Sequence, residues 1–169
     1  MAILLLGPGR SRGDEEGWAK ISPGGDPWRP VLAGLKRQTG VPILLPTTLP
    51  RGASETLYVS ATGGQDRYSV ELGSLPGCDA NSCFVASFSA ERGGRSYMVN
   101  PRRISLAGHH EARFGARSCG GSCSGPAIDW NLDGVLYSIE IHFDHDDDDA
   151  QAARVLQGLV ESAIAAGPR

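Results

Sequence analysis

Between Leu57 and Phe143 the apolar positions of this chain recur mainly at every second residue. Leu57, Val59 and Ala61 alternate with other residues, as do Tyr68, Val70 and Leu72, and Gly63-Gly64 between the two runs predicts a hairpin turn. Phe84, Ala86, Phe88 and Ala90 predict a third strand, and weaker alternation marks residues 102–106 and 111–116. A last pair covers residues 127–130 and 135–143, joined through Asn131-Leu132-Asp133-Gly134. In the final strand Tyr137, Ile139, Ile141 and Phe143 share one face, while Ser138, Glu140 and His142 share the other. That alternation belongs to a sheet packed on one side only.

Two segments follow helical spacing instead. Residues 26–40 read as a short helix: Asp26 as cap, Pro27 and Pro30 in the first turn, and Trp28, Val31, Leu32 and Leu35 on one face. Lys36 and Arg37 sit at its negative end, and Gly40 terminates it. Near the end of the chain, Val155, Leu156, Leu159, Val160, Ala163 and Ile164 form one apolar stripe, preceded by acidic residues and closed by Gly167-Pro168. Between the first helix and the strands, residues 41–46 are extended and apolar, with two prolines that exclude a central strand but permit an edge. The class is α+β: a mainly antiparallel sheet covered on one face by a C-terminal helix and a short N-terminal helix.

Composition adds bounds. A chain of 169 residues fits one domain, here 26–169, after a leader of residues 1–25 that mixes Gly, Pro and charge without periodicity. Gly and Pro together supply one residue in five, which suits short strands joined by turns. The run from Met1 to Leu6 is too short for a bilayer span or a signal-peptide core, and nothing else approaches 18 consecutive apolar residues, so the chain reads as soluble. The net charge of −3 is set by Asp144 and Asp146 through Asp149; without them the balance would be +2. No basic cluster is interleaved with aromatics, so nothing marks a nucleic-acid partner. Lys20 and Lys36 are the only lysines among 16 cationic residues, a bias expected of a GC-rich bacterial genome.

Four cysteines stand as two close pairs, Cys78/Cys83 and Cys119/Cys123. They admit three disulfide connectivities, of which the simplest closes each pair on itself. A four-cysteine zinc site and free thiols are the alternatives. Structural zinc commonly uses a tighter C-x2-C spacing than the C-x4-C and C-x3-C found here, and the small residues within each pair suit short rings. Disulfides imply an extracytoplasmic location, although no signal peptide lies within this sequence.

No catalytic, cofactor or metal site emerges. Gly121-Ser122-Cys123-Ser124-Gly125 matches G-x-C-x-G, but the residues after it form a strand pattern rather than the helix that would stabilise a thiolate. His142-Phe143-Asp144-His145 and the following aspartates offer metal-ligand types without the order of a calcium loop, and read as a solvated loop and helix cap. His109-His110-Glu111 lacks the spacing of two histidines on one helical face and reads as an exposed turn. Gly7-Pro8-Gly9 lacks the Gly-Lys-Ser/Thr of a phosphate loop.

Three short segments carry a resemblance: residues 41–50 (VPILLPTTLP), the final hairpin with Trp130, Gly134, Tyr137 and Ile139, and the closing helix with Glu161-Ser162. In these the chain resembles uncharacterised bacterial extracytoplasmic proteins, including DUF4367-like domains, although the two cysteine pairs depart from the general pattern. The resemblance implies a secreted, anchored or sensor-attached domain, akin to lipoprotein-carrier and envelope-sensor folds. It transfers no functional residues. The expected function is a non-catalytic extracytoplasmic domain that binds a protein or envelope component. The alternatives are a carrier or sensor of a lipid or other apolar ligand, held between sheet and helices, and a hydrolase using Cys123 with a histidine such as His142.

Overall fold

A computed structural model of the chain describes residues 17–22, 24–49, 56–120, 123–142 and 148–169. The strands are β1 (Ala19–Lys20), β2 (Tyr58–Gly64), β3 (Arg67–Gly73), β4 (Phe84–Arg92), β5 (Arg102–Ser105), β6 (Glu111–Gly115), β7 (Ser118–Cys119), β8 (Cys123–Ser124), β9 (Ala127–Leu132) and β10 (Val135–Ile141). The helices are α1 (Arg29–Gln38) and α2 (Asp149–Ala166). Eight strands form one antiparallel sheet in the order β1-β2-β3-β4-β10-β9-β6-β5, and β7-β8 make a small separate hairpin. The fold is α+β and sheet-dominated, as the alternation predicted.

Period two divides the sheet into two chemically different faces. The inward set includes Val59, Val70, Phe88, Ile128 and Ile139, each no more than 1% exposed. Against it lie α1, over β2, and α2, over β9 and β10. Leu35 of α1 and Leu156 and Val160 of α2 are fully buried there, so each helix places its apolar stripe on the sheet. α2 starts where the Asp148 carboxylate accepts a hydrogen bond from the Gln151 backbone N–H at 2.6 Å, and ends at Gly167. Asp149 opens α2, while Asp144, Asp146 and Asp147 lie outside the described residues, as do Phe143 and His145.

Several details differ from the sequence expectation. The β2–β3 turn is at Gln65-Asp66, not Gly63-Gly64, which are paired strand residues. Gly63 is small for another reason: a Cβ there would lie 2.7 Å from the Gln38 Cβ, where the end of α1 rests on β2. The β9–β10 turn does follow its signal, with Asp133 and Gly134 both at positive φ as a type I′ turn requires. Asp26 does not cap α1; it accepts from the Trp28 N–H, and Trp28 takes the cap position without a side-chain bond. The expected leader also gives way in part. Residues 1–16 lie outside the described set, but Ala19 and Lys20 pair with Val59 and Tyr58, extending the sheet.

Residues 41–46 are the main correction. They are not an edge strand but a buried extended strap between the helices and the sheet, with Val41, Ile43, Leu44 and Leu45 at most 4% exposed. Outside a ladder, its backbone polar groups need other partners. The Tyr68 hydroxyl supplies two, accepting from Leu44 N–H at 3.1 Å and donating to Leu44 C=O at 3.0 Å. Tyr137 donates to Pro42 C=O, the Trp28 indole to Pro46 C=O at 2.7 Å, and the Arg169 guanidinium to the carbonyls of Leu45 and Pro46. Burial pushes the Tyr68 phenol far above its ordinary pKa, against the lowering effect of the Leu44 bond. Tyr137 is pushed up to about 12, first by burial and then by the charge of Asp133, with Arg92 opposing.

Candidate functional site

The outward face of the sheet is polar, and the strand register aligns its side chains into rows. One row crosses five strands: Thr62 on β2, Ser69 on β3, Ser89 on β4, Ser138 on β10 and Asp129 on β9 are successive cross-strand partners. All five line a groove of about 560 Å³. None of their side chains bonds to another described residue. Four hydroxyls and one carboxylate thus face the same space with no partner among the described residues.

Asp129 stands out within the row. At 5% exposure it is the one buried charged residue among those described, and it borders the groove. Arg113 on β6 is its register partner but makes no ion pair with it. Buried carboxylates are ordinarily paired or hydrogen-bonded, because desolvating a charge without compensation is costly. The Asp129 carboxylate instead lies open on the floor of a polar groove.

The wall comes from the connection between β4 and β5. β4 lies inside the sheet and β5 at its far edge, and residues 93–101 connect them across the outward face, where Gly94 approaches Leu136 and Met98 approaches Gly115. On the way Arg95, Ser96 and Tyr97 border the groove, and Tyr97 is 91% exposed. Arg67 and Glu91 complete its charged lining, so two guanidiniums face two carboxylates and the groove carries no net charge.

The cysteines serve elsewhere. Cys78–Cys83 closes the loop between β3 and β4, and Cys119–Cys123 closes the β7–β8 hairpin, which is the simplest pairing expected. None of the four borders the groove. Cys123 has no free thiol and is followed by β9 rather than a helix, so the geometry a nucleophile would need is missing there. Gly121 and Ser122 lie outside the described residues, as do Gly7, Pro8 and Gly9. His142 is half-buried at the end of β10, with its N–H bonded to Val85 C=O. His110 is half-buried beside a 3₁₀ turn that ends at His109, and Glu111 opens β6.

Most of the layer between sheet and helices, where an apolar ligand was expected as the alternative, is occupied by side chains. Trp28, Leu35, Leu45, Phe88, Tyr137 and Leu156, none more than 1% exposed, occupy that layer together with the strap. An apolar hollow of about 330 Å³, bordered by Leu44, Val135, Tyr137 and Ile164, opens at its rim between the β9–β10 turn and the end of α2. No helix among the described residues is long and apolar enough to cross a membrane. Compared with protein-family models, curated proteins and solved structures, the chain has no match.

Proposed function

We propose that this chain is a non-catalytic, extracytoplasmic binding domain whose binding site is the outward-face groove. The observation that carries the reading is Asp129, buried, unpaired and open to a groove floored by four equally unpaired hydroxyls. A structural carboxylate would have a partner, whereas a ligand-binding one waits for it. The two disulfides support the compartment, because such bonds persist where thiols are not kept reduced.

Each part has its own test. Asp129→Asn, which keeps the shape and removes the charge, should leave stability unchanged or raise it by up to about 2 kcal/mol in urea denaturation. A loss above about 1 kcal/mol would make Asp129 a structural group and remove the ground for the site. For the compartment, intact cells of the source are treated with a permeant alkylating agent before lysis. All four cysteines should stay unlabelled until reductant is added, and labelling without reductant would contradict an oxidising location.

A further inference from the structure

We infer that the groove takes a short glycan chain of neutral or N-acetylated sugars, laid across the strands rather than along them. This inference rests on the groove being the binding site. Its first support is spacing. Cross-strand partners recur at the strand separation of about 4.8 Å, so the line from Thr62 to Asp129 presents five polar groups over roughly 19 Å. A ligand that satisfies the whole line must carry polar groups repeatedly along an extended body.

The second support is the kind of group on offer. Four hydroxyls can each donate or accept, which suits partners that do the same, and sugar hydroxyls do. Asp129 only accepts, through two oxygens, and matches two neighbouring hydroxyls of one ring. Tyr97, bordering the groove at 91% exposure, offers an aromatic surface for the C–H face of a sugar.

Competing ligand classes fit less well. An anion would meet the buried Asp129 carboxylate. A metal ion would find no group of three ligating His, Cys, Asp or Glu side chains among the described residues. An apolar ligand would strip water from five polar groups and give them no partners. An amine would satisfy Asp129 and leave the hydroxyl line without a role. The balance of Arg67 and Arg95 against Glu91 and Asp129 likewise favours a ligand without net charge.

The experiment is an array of immobilised neutral, N-acetylated and uronic-acid oligosaccharides probed with the labelled full chain. Calorimetric titration then follows with the best-retained soluble oligosaccharide. Neutral or N-acetylated chains should be retained and uronic-acid chains should not. Asp129→Asn and the double variant Ser89→Ala/Ser138→Ala should each weaken binding roughly tenfold, and Tyr97→Ala severalfold, with no variant melting appreciably below wild type. Retention of no chain, retention of uronic-acid chains alone, or a titration unaffected by Asp129→Asn would overturn the inference. If Asp129→Asn is stability-neutral and the array is empty, the glycan is refuted and the site stands, with peptides as the next probes. If Asp129→Asn destabilises the fold, the site itself falls.

Discussion

Trp28→Ala should lower the free energy of unfolding by about 4 kcal/mol, within the range for removing a large buried aromatic. Trp28 is fully buried, meets Phe88 edge-on with ring centroids 4.9 Å apart, and donates its indole N–H to Pro46 C=O at 2.7 Å. Its loss empties the junction between α1, the strap and the sheet, and frees the strap at Pro46. For a domain of this size the melting temperature should fall by roughly 8–16 °C. Trp28→Phe, which keeps a ring and loses only the hydrogen bond and part of the volume, should fall between wild type and alanine. A change below about 1.5 kcal/mol for the alanine variant would show that the junction collapses around the gap.

Tyr68→Phe removes a single oxygen and should still cost about 3 kcal/mol. The ring's packing is retained, but Leu44 loses the partner of both its N–H and its C=O inside the protein. Each buried group left unpaired costs about 1–3 kcal/mol. Tyr137→Phe, which orphans only Pro42 C=O, serves as the milder comparison. Alkali gives a second readout. Both phenols titrate higher in the folded chain than their unfolded value of about 10. Below that pH both states keep the protons and stability is indifferent to them. Above it the unfolded chain releases protons that the folded chain holds, so stability falls, by up to about 1.4 kcal/mol per pH unit for the deeply buried Tyr68 and by less for Tyr137, whose hydroxyl is only part-buried and better screened. In Tyr68→Phe the slope between pH 10 and 12 should be less than half that of wild type. An unchanged slope would mean that Tyr68 ionises freely.

The architecture was legible wherever a face was continuous. Tyr137, Ile139 and Ile141 announced both a strand and its buried side, and Leu156, Leu159 and Val160 did the same for α2. The turn at Asp133-Gly134 was readable because its geometry demands positive φ. What could not be read was what distant segments do to one another. The prolines of the strap permitted an edge strand, and nothing local reveals that Tyr68, Tyr137 and Arg169, which are far along the chain, satisfy its backbone. Gly63 looked like a turn because a close approach by Gln38 leaves no local trace. The groove was hidden for the same reason. Ser69, Ser89, Ser138 and Asp129 occupy the polar phase of four separate strands, and only the register makes them one line.

The alternation that hides the groove also frees it. Every residue of the polar line is flanked along its own strand by residues of the opposite phase, such as Tyr68 and Val70 beside Ser69, or Tyr137 and Ile139 beside Ser138. Exchanging one set leaves the other in place. On the proposed reading, recognition and stability are written largely in separate letters of the same words, with Tyr68 and Ala90 the core residues that also border the groove, so most substitutions in the polar phase would change what the scaffold recognises without revising the core.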